Sequence, residues 1–485
     1  MLHIVKPFNF ILAIDSYKAN HYLEMPSHAT RAYSVIVPRK PSKYATHIVA
    51  MGQTFVATIM SEVRITHDMI DEAEIEINQQ GYTFNREGWE RIVNEFGGKL
   101  PLAVYAVEEG RIVPPQTPVM GIINTADGFA WLPASVETWV QCAVWKMSTV
   151  ASICRSARIT IREYMERTGA DMSMLNYKLH NFGDRGADSP EEAPVLAGIA
   201  HAALFDGSDC TRANGYIKRL YRTKRAFTSS VEATEHSTMC ANSDAETKDD
   251  FGAARMAVQR LHVVVERTKR GIGIPLMSVV IDTYNSRRFV RNYMGSVFKD
   301  EIINSGGVMV MRPDSGDPTK EPALVARDLE DTFGVVNLTS TGHKVLHSAV
   351  RIIQGDGIRI DTIRAVLQGF VDAGYSMDNL TLGMGSGTTH DGARDDFSFS
   401  MKSVAYYDGK KWVRLLKSPI TDLGKQSLSG LVRCAENVDG DLIVVDLTDD
   451  PSQFFVSGPG WWKWSCDGEQ THHQEFDEVQ HRARS

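Results

Sequence analysis

Only six cysteines occur in 485 residues, and none has CxxC spacing. A disulfide framework or a zinc site needs tighter clustering, so Cys142, Cys154, Cys210, Cys240, Cys434 and Cys466 read as reduced thiols. Long apolar runs are missing too. The stretch from Met1 to Ile14 is broken by His3, Lys6, Pro7 and Asn9, no signal-peptide cleavage pattern follows it, and no run nears bilayer-spanning length. The expected location is the cytoplasm. Basic excess is absent: 52 Lys and Arg against 60 Asp and Glu give a net charge of −8. That argues against a general nucleic-acid binder, which neutralises phosphates with a basic surface. It leaves anionic small molecules open, because a local cationic pocket can sit in an acidic protein. Neither GxxxxGK[ST] nor G-x-S-x-G occurs, which disfavours a nucleotide P-loop and a serine-hydrolase elbow.

What is present is an ordinary globular composition, 43% hydrophobic and 23% charged, in a chain long enough for two domains. Residues 1–50 read as a short strand, a polar turn at Asp15-Ser16-Tyr17-Lys18, and a strand from Arg31 to Val37. Residues 51–100 read as helical and 101–125 as strands broken by Pro and Gly. Apolar residues recur near every 3.6 positions from Ser135 to Thr168 (Val136, Val140, Ala143, Met147, Val150, Cys154), which predicts one long helix or two joined ones. Strand and helix alternate over 178–387, and a helix is expected to open at Ser189-Pro190-Glu191-Glu192 in capping style. Beyond Arg394 short β segments follow. The last dozen residues are expected to be loosely ordered and their histidines solvated.

In the alternating region each apolar run ends in a polar or glycine turn. Lys178–Phe182 leads to Gly183-Asp184-Arg185-Gly186, and Met277–Ile281 to Asp282-Thr283-Tyr284. Val308–Met311 leads to Arg312-Pro313-Asp314-Ser315-Gly316, Arg351–Ile353 to Gln354-Gly355-Asp356-Gly357, and Leu380–Leu382 to Gly383-Met384-Gly385-Ser386-Gly387. Serial βα units favour a parallel barrel or a doubly wound sheet, and a barrel fits better because the turns follow nearly every strand. Glycines let backbone approach an anion, and the helix after Gly357 is expected to offer its N–H groups. Gly383–Gly387 reads as a phosphate cradle, with Arg394, Lys402, Lys417 and Lys425 as either a solvated basic face or a cationic wall for pyrophosphate. Asp282 and Asp314 suit Mg²⁺, which takes a few carboxylates plus substrate oxygens, or are capping aspartates. Glu235-His236-Ser237-Thr238 holds a histidine that could be a general base, a phosphate contact or a phosphorylated nucleophile. Phe182 and Tyr17 could stack on a flat heteroaromatic ring, although most such side chains are core.

Together, Asp15-Ser16-Tyr17-Lys18, Phe182-Gly183-x-Arg185-Gly186, Gly207-Ser208-Asp209, Glu235-His236-Ser237-Thr238, Arg312-Pro313-Asp314-Ser315-Gly316, Gln354-Gly355-Asp356-Gly357 and the glycine turn with Arg394 make the chain resemble the nicotinamide phosphoribosyltransferases, in the type II phosphoribosyltransferase family, over nearly its full length. The resemblance implies transfer of 5-phosphoribose from phosphoribosyl pyrophosphate to nicotinamide, with Mg²⁺, as a homodimer with shared sites. It implies a pyridine ring between Phe182 and the partner subunit's Tyr17, with the carboxamide held by Asp209 and Arg312. Ribose and phosphate fall to Gly355, Asp356, Gly385, Ser386 and Asp314, with Arg185 and Ser278 in the same set. Arg39, Arg394, Lys402 and Lys425 meet phosphate or pyrophosphate, Asp282 and Asp314 serve the metal, and His236 is phosphorylated when ATP drives the reaction. The catalytic set is then His236, Asp314 and Arg312. The implied organisation is a (β/α) barrel-like domain over 151–394 and a mixed α/β sandwich-like domain built from 1–150 and 395–485. Asp184, Glu232 and Ser386 depart from the family pattern and bear on base affinity and ATP coupling.

A carboxylate at Asp209 accepts an amide N–H from nicotinamide and repels the carboxylate of nicotinate. Three rivals remain: a nicotinate phosphoribosyltransferase, a phosphate-sugar binding protein without turnover, and, most distant, a glycosidase with two carboxylates, which would leave the phosphate-type turns unexplained.

Overall fold

The computed structural model describes residues 9–189, 192–421 and 426–485. Two sheets organise them. The parallel sheet has the order Leu179–Asn181, Leu380–Met384, Val350–Gln354, Val308–Arg312, Leu276–Val280, Glu232–Ala233. Every neighbouring pair is parallel. Its edges are linked through two further parallel bridges, Asn181 to Ser208 and Gly207 to Ser229, so the sheet curls toward a barrel. Its central strands are nearly continuous buried runs, Met277–Val280 and Met309–Met311 among them, as strands covered on both faces require. Outer helices Phe251–Lys269, Glu321–Phe333 and Ile363–Asp372 bury one apolar stripe each; in the last it is Ile363, Val366, Leu367, Phe370 and Val371.

The second sheet is antiparallel. It runs Trp412–Arg414, Ser400–Tyr407, Arg31–Val37, Met120–Asn124, Leu102–Ala106, Trp462–Cys466, Glu469–Gln470, and so joins the N-terminal region to the C-terminal one. Helices Gln53–Glu62, His67–Gln79 and Arg86–Phe96 fill the region expected to be helical. The periodic segment is one helix, Glu137–Arg167, of 31 residues. It touches Ile48–Val49 and Gln53–Glu62 on one side and Glu192–Ala202 and Ile363–Asp372 on the other. Residue 150 lies inside this helix, so the expected division at 150/151 falls within a continuous element that packs against both layers. Among the described residues no helix is long and apolar enough to cross a membrane.

Four expectations change. Among the described residues before Asp15 there is a 3-10 helix, Phe10–Leu12, capped at its N-terminus by the Asn9 side chain, and no strand. Asp15-Ser16-Tyr17-Lys18 continues into the 3-10 helix Ser16–Asn20. The C-terminal tail is ordered: helix Phe476–Arg484 buries Phe476, Val479, Gln480 and Ala483, and His472 stacks on Trp462 with ring centroids 4.8 Å apart. The tail's polar look misled because those four residues lie on one helical face. Finally, the helix after Gly357 opens only at Ile363, with Thr362 as its N-cap, so its N-terminus does not adjoin the glycine turn. The helix start expected at Ser189–Glu192 includes positions outside the described residues.

Candidate active site at the barrel mouth

The C-terminal ends of the parallel strands converge, which is where a βα architecture places its chemistry. Arg312 ends its strand, while Phe182, Gly355 and Gly385 directly follow theirs. Asp282 lies just beyond Val280, Asp209 beyond the Ser208 bridge, and His236 begins the short helix after Glu232–Ala233.

His236 stands between two carboxylates. Its Nε2 lies 3.1 Å from Asp282 Oδ1 and its Nδ1 3.7 Å from Asp314 Oδ2. Arg312 Nη2 reaches within 3.8 Å of the same Asp314 oxygen, and the Ser315 hydroxyl donates to Asp282 Oδ2. Among the described residues no group of three or more His, Cys, Asp or Glu is placed to hold a metal. The Asp282–Asp314 pair instead offers a hard, two-carboxylate oxygen set, which fits an ion that completes its shell with water and substrate phosphate.

A second cluster is built around Phe182. Its backbone N–H donates to Met384 O at 2.8 Å, and the Cδ2–Cε2 side of its ring lies against two glycines. A Cβ at Gly383 would sit 2.0 Å from Phe182 Cε2; one at Gly355 would sit 3.3 Å from that atom and 3.7 Å from Asp314 Oδ1. Glycine at 383 is therefore a steric condition for the Phe182 position. His180 connects Phe182 to Asp209: its ring centroid is 5.0 Å from that of Phe182, and its Nε2 is 2.8 Å from Asp209 Oδ1. Ser230 Oγ donates to the same oxygen at 2.5 Å. Burial alone would raise the Asp209 pKa, but the His180 hydrogen bond and charge, with Ser230 and Arg312, hold it below its usual value. A carboxylate in this pocket is thus kept charged.

At the glycine turns, Gly385 precedes the one-turn helix Ser386–Thr389, and Asp356 is an exposed carboxylate beside Gly357, whose φ of +68° favours glycine. Arg185 is exposed on the 3-10 helix Gly183–Gly186, at the rim. Ser278 is buried within its strand and its carbonyl accepts the Thr234 N–H at 3.0 Å. Arg394 points to solvent and pairs with its neighbour Asp395 at 2.7 Å.

The remaining expected residues lie on the antiparallel sheet. Arg39 and Lys402 line one small pocket with Val35, Val37, Gln116 and Ser400. Arg39 is anchored by Ser398, Nε to the carbonyl and Nη2 to the hydroxyl, both at 2.9 Å. Desolvation lowers the Lys402 pKa; Glu137 opposes it, and Lys417, Lys18 and Arg39 add to it, which marks a crowd of cations. Tyr17 is 54% exposed and packs edge-on against His21, not against Phe182. Lys425 lies outside the described residues.

The sequence reading missed His180 and Ser230. His180 could have been found, since it sits two positions before Phe182 in a strand and so shares its face. Ser230 reaches the pocket from a segment with no motif.

The fold is shared with phosphoribosyltransferases of known structure. It is similar to the crystal structure of a nicotinate-nucleotide pyrophosphorylase from Pyrococcus furiosus (TM-score 0.61, 14% identity, 99% of this chain and 96% of that one). It is also similar to human nicotinic acid phosphoribosyltransferase (TM-score 0.59, 16% identity, 98% and 93%). Sequence narrows the class. The nicotinate phosphoribosyltransferase family model matches residues 177–452, and the N-terminal domain model of nicotinamide phosphoribosyltransferase matches residues 9–104. Nicotinamide phosphoribosyltransferases of Xanthomonas campestris pv. campestris and Acinetobacter baylyi are 34% and 30% identical; the first alignment covers 87% of this chain and 86% of its relative, the second 90% and 89%. The chain belongs to the nicotinate phosphoribosyltransferase family, on the branch that carries the nicotinamide phosphoribosyltransferase N-terminal domain.

Proposed function

We propose that this protein transfers 5-phosphoribose from phosphoribosyl pyrophosphate to the ring nitrogen of nicotinamide, releasing pyrophosphate and forming nicotinamide mononucleotide for NAD salvage. The observation that carries the choice of base is Asp209, held ionised by His180 and Ser230 within reach of the Phe182 ring and the Arg312 charge. Phe182 stacks the pyridine, Asp209 accepts the carboxamide N–H, and Arg312 donates to its oxygen. That fixes the ring nitrogen toward the anomeric carbon, and orientation of this kind accounts for much of the rate in a displacement that needs no strong base. The pyridine nitrogen has no proton to lose, so the ring supplies a lone pair and the pyrophosphate departs with the electrons of the breaking C–O bond. Positive charge grows on the ribose and negative charge on the leaving group, so donors and cations facing the pyrophosphate stabilise the transition state.

The Gly355–Asp356 and Gly385–Ser386 turns suit the ribose and its phosphate, with Arg185, Ser278 and Arg394 around them. Mg²⁺ held by Asp282 and Asp314 would supply Lewis-acid neutralisation of the leaving pyrophosphate. His236, oriented by Asp282 at Nε2, leaves Nδ1 to accept a phosphoryl group when ATP drives the reaction. The exposed Tyr17 and the separate Arg39–Lys402 pocket support a homodimer in which both reach a second copy's barrel mouth. The units 1–150 with 395–485 and 151–394 would be the two sides of that arrangement, with helix Glu137–Arg167 running across their boundary. A cytoplasmic location is consistent with this activity.

The test is a competition. Purified protein with phosphoribosyl pyrophosphate, Mg²⁺ and equal nicotinamide and nicotinate should yield nicotinamide mononucleotide in excess by mass. An excess of nicotinate mononucleotide would make it a nicotinate enzyme, and no pyrophosphate release would make it a binding protein.

A further inference from the structure

The proposed base-stacking loop and phosphate turn touch at several points. Phe182 N–H donates to Met384 O, Thr389 Oγ1 donates to Gly183 O at 2.8 Å, and a Cβ at Gly186 would meet Ser386 Cβ at 2.8 Å. At the far end the contact turns ionic. Asp188 Oδ1 accepts from His390 Nδ1 at 2.5 Å, and its other oxygen lies 3.4 Å from the ammonium of Lys146. Lys146 rises from the middle of the long helix Glu137–Arg167 and its side chain is only 6% exposed. Its ammonium also donates to Thr389 O, at the end of the one-turn helix that carries Ser386. The same helix supports the turn further along, since a Cβ at Gly392 would lie 2.6 Å from Thr149 Cγ2.

A buried ammonium is tolerated only where hydrogen bonds and opposite charge replace its water. Here both replacements come from rim loops: a carboxylate on the base side and a carbonyl on the phosphate side. The lysine takes no part in the chemistry described above. We infer that Lys146 is a positioning residue: with Asp188 and His390 it clips the Phe182 loop to the Gly385–Thr389 turn, so that filling the phosphate site orders the base site. The inference rests on the assignment of those two loops to base and phosphate. Two sites sharing one ordered element are coupled, and the coupling is reciprocal.

Nicotinamide binding by the full-length protein, titrated with and without saturating ribose 5-phosphate (a sugar phosphate with no leaving group), reads this directly. In the wild type the sugar phosphate should tighten nicotinamide binding by roughly tenfold. In Lys146→Met the gain should fall to less than about twofold, while the affinity measured without sugar phosphate changes far less. Lys146→Arg should restore much of it. Asp188→Asn removes the anchor from the exposed side and should weaken the coupling in the same direction, which keeps the test informative if Lys146→Met does not fold. A wild-type factor near one, or an undiminished factor in both variants, overturns the clip. Wild-type protein that binds neither ligand overturns the assignment of the loops, and the clip with it.

Discussion

The barrel mouth and the antiparallel sheet both gather charge, by different means. At the mouth, polar residues sit on turns at strand ends, and three of them, His236, Asp282 and Asp314, meet within 3.1 and 3.7 Å. On the sheet, charge sits on strand faces: Lys402 pairs in register with Val35, and Arg39 extends the same strand beyond Val37. Opposite charges at the mouth orient one another. Around the sheet's Lys402, the like charges of Lys417, Lys18 and Arg39 act together and Glu137, paired with Lys18 at 2.6 Å, opposes them. The first region is arranged to hold reactants, whereas the second is a cationic surface suited to an anion brought from elsewhere.

Experiments that remove one region at a time test this difference. Asp314→Asn should have the largest effect, lowering kcat by about a thousandfold, because a carboxylate that faces His236 and is proposed to hold the ion at the leaving group is lost; initial-rate pyrophosphate release measures it. Asp209→Asn should leave turnover with nicotinamide measurable but cut the preference for amide over acid by roughly thirtyfold, read as the ratio of kcat/KM for the two bases. Gly383→Ala should raise KM for nicotinamide about tenfold with a smaller change for phosphoribosyl pyrophosphate, since a methyl group displaces the Phe182 ring. Lys402→Ala should do the converse, raising KM for phosphoribosyl pyrophosphate about fivefold and flattening its salt dependence, as expected of one screened charge. Equal KM changes for both substrates in these last two variants would erase the contrast between the regions.

The smallest effect concerns stability. His201 is fully buried against Phe205, and burial, aided by the charge of His180, lowers its pKa to about 3 from 6.5. Between these values the unfolded chain binds a proton that the folded chain refuses, so stability should fall as pH drops below 6.5. Replacing His201 with Phe should flatten that slope by about 1.4 kcal/mol per pH unit, measurable by urea unfolding between pH 6.5 and 4.5. An unchanged slope would show that His201 is not buried neutral.

Much of the mouth was legible because the chemistry lies where an apolar run stops. Met309-Val310-Met311 before Arg312, or Leu380-Thr381-Leu382 before the glycine turn, gives both the strand and its functional end in one reading. His180 and Ser230 were harder. The first looks like part of a buried strand, and the second comes from a segment whose place beside Asp209 is set by the sheet closing on itself through Gly207 and Ser229. The tail failed for a related reason: Arg484 pairs with Asp206 at 2.5 Å and Gln474 reaches buried Glu109 at 3.0 Å, contacts that local polarity does not reveal.

The central claim is that one cavity grips the base by ring and amide while glycine turns hold the sugar phosphate. A crystal structure of the protein with nicotinamide mononucleotide tests it most directly. The account predicts the pyridine against Phe182, the carboxamide between Asp209 and Arg312, and the 5′-phosphate at the Gly355 or Gly385 turn. A mononucleotide bound away from Phe182, or turned so that its phosphate meets Asp209, would contradict it.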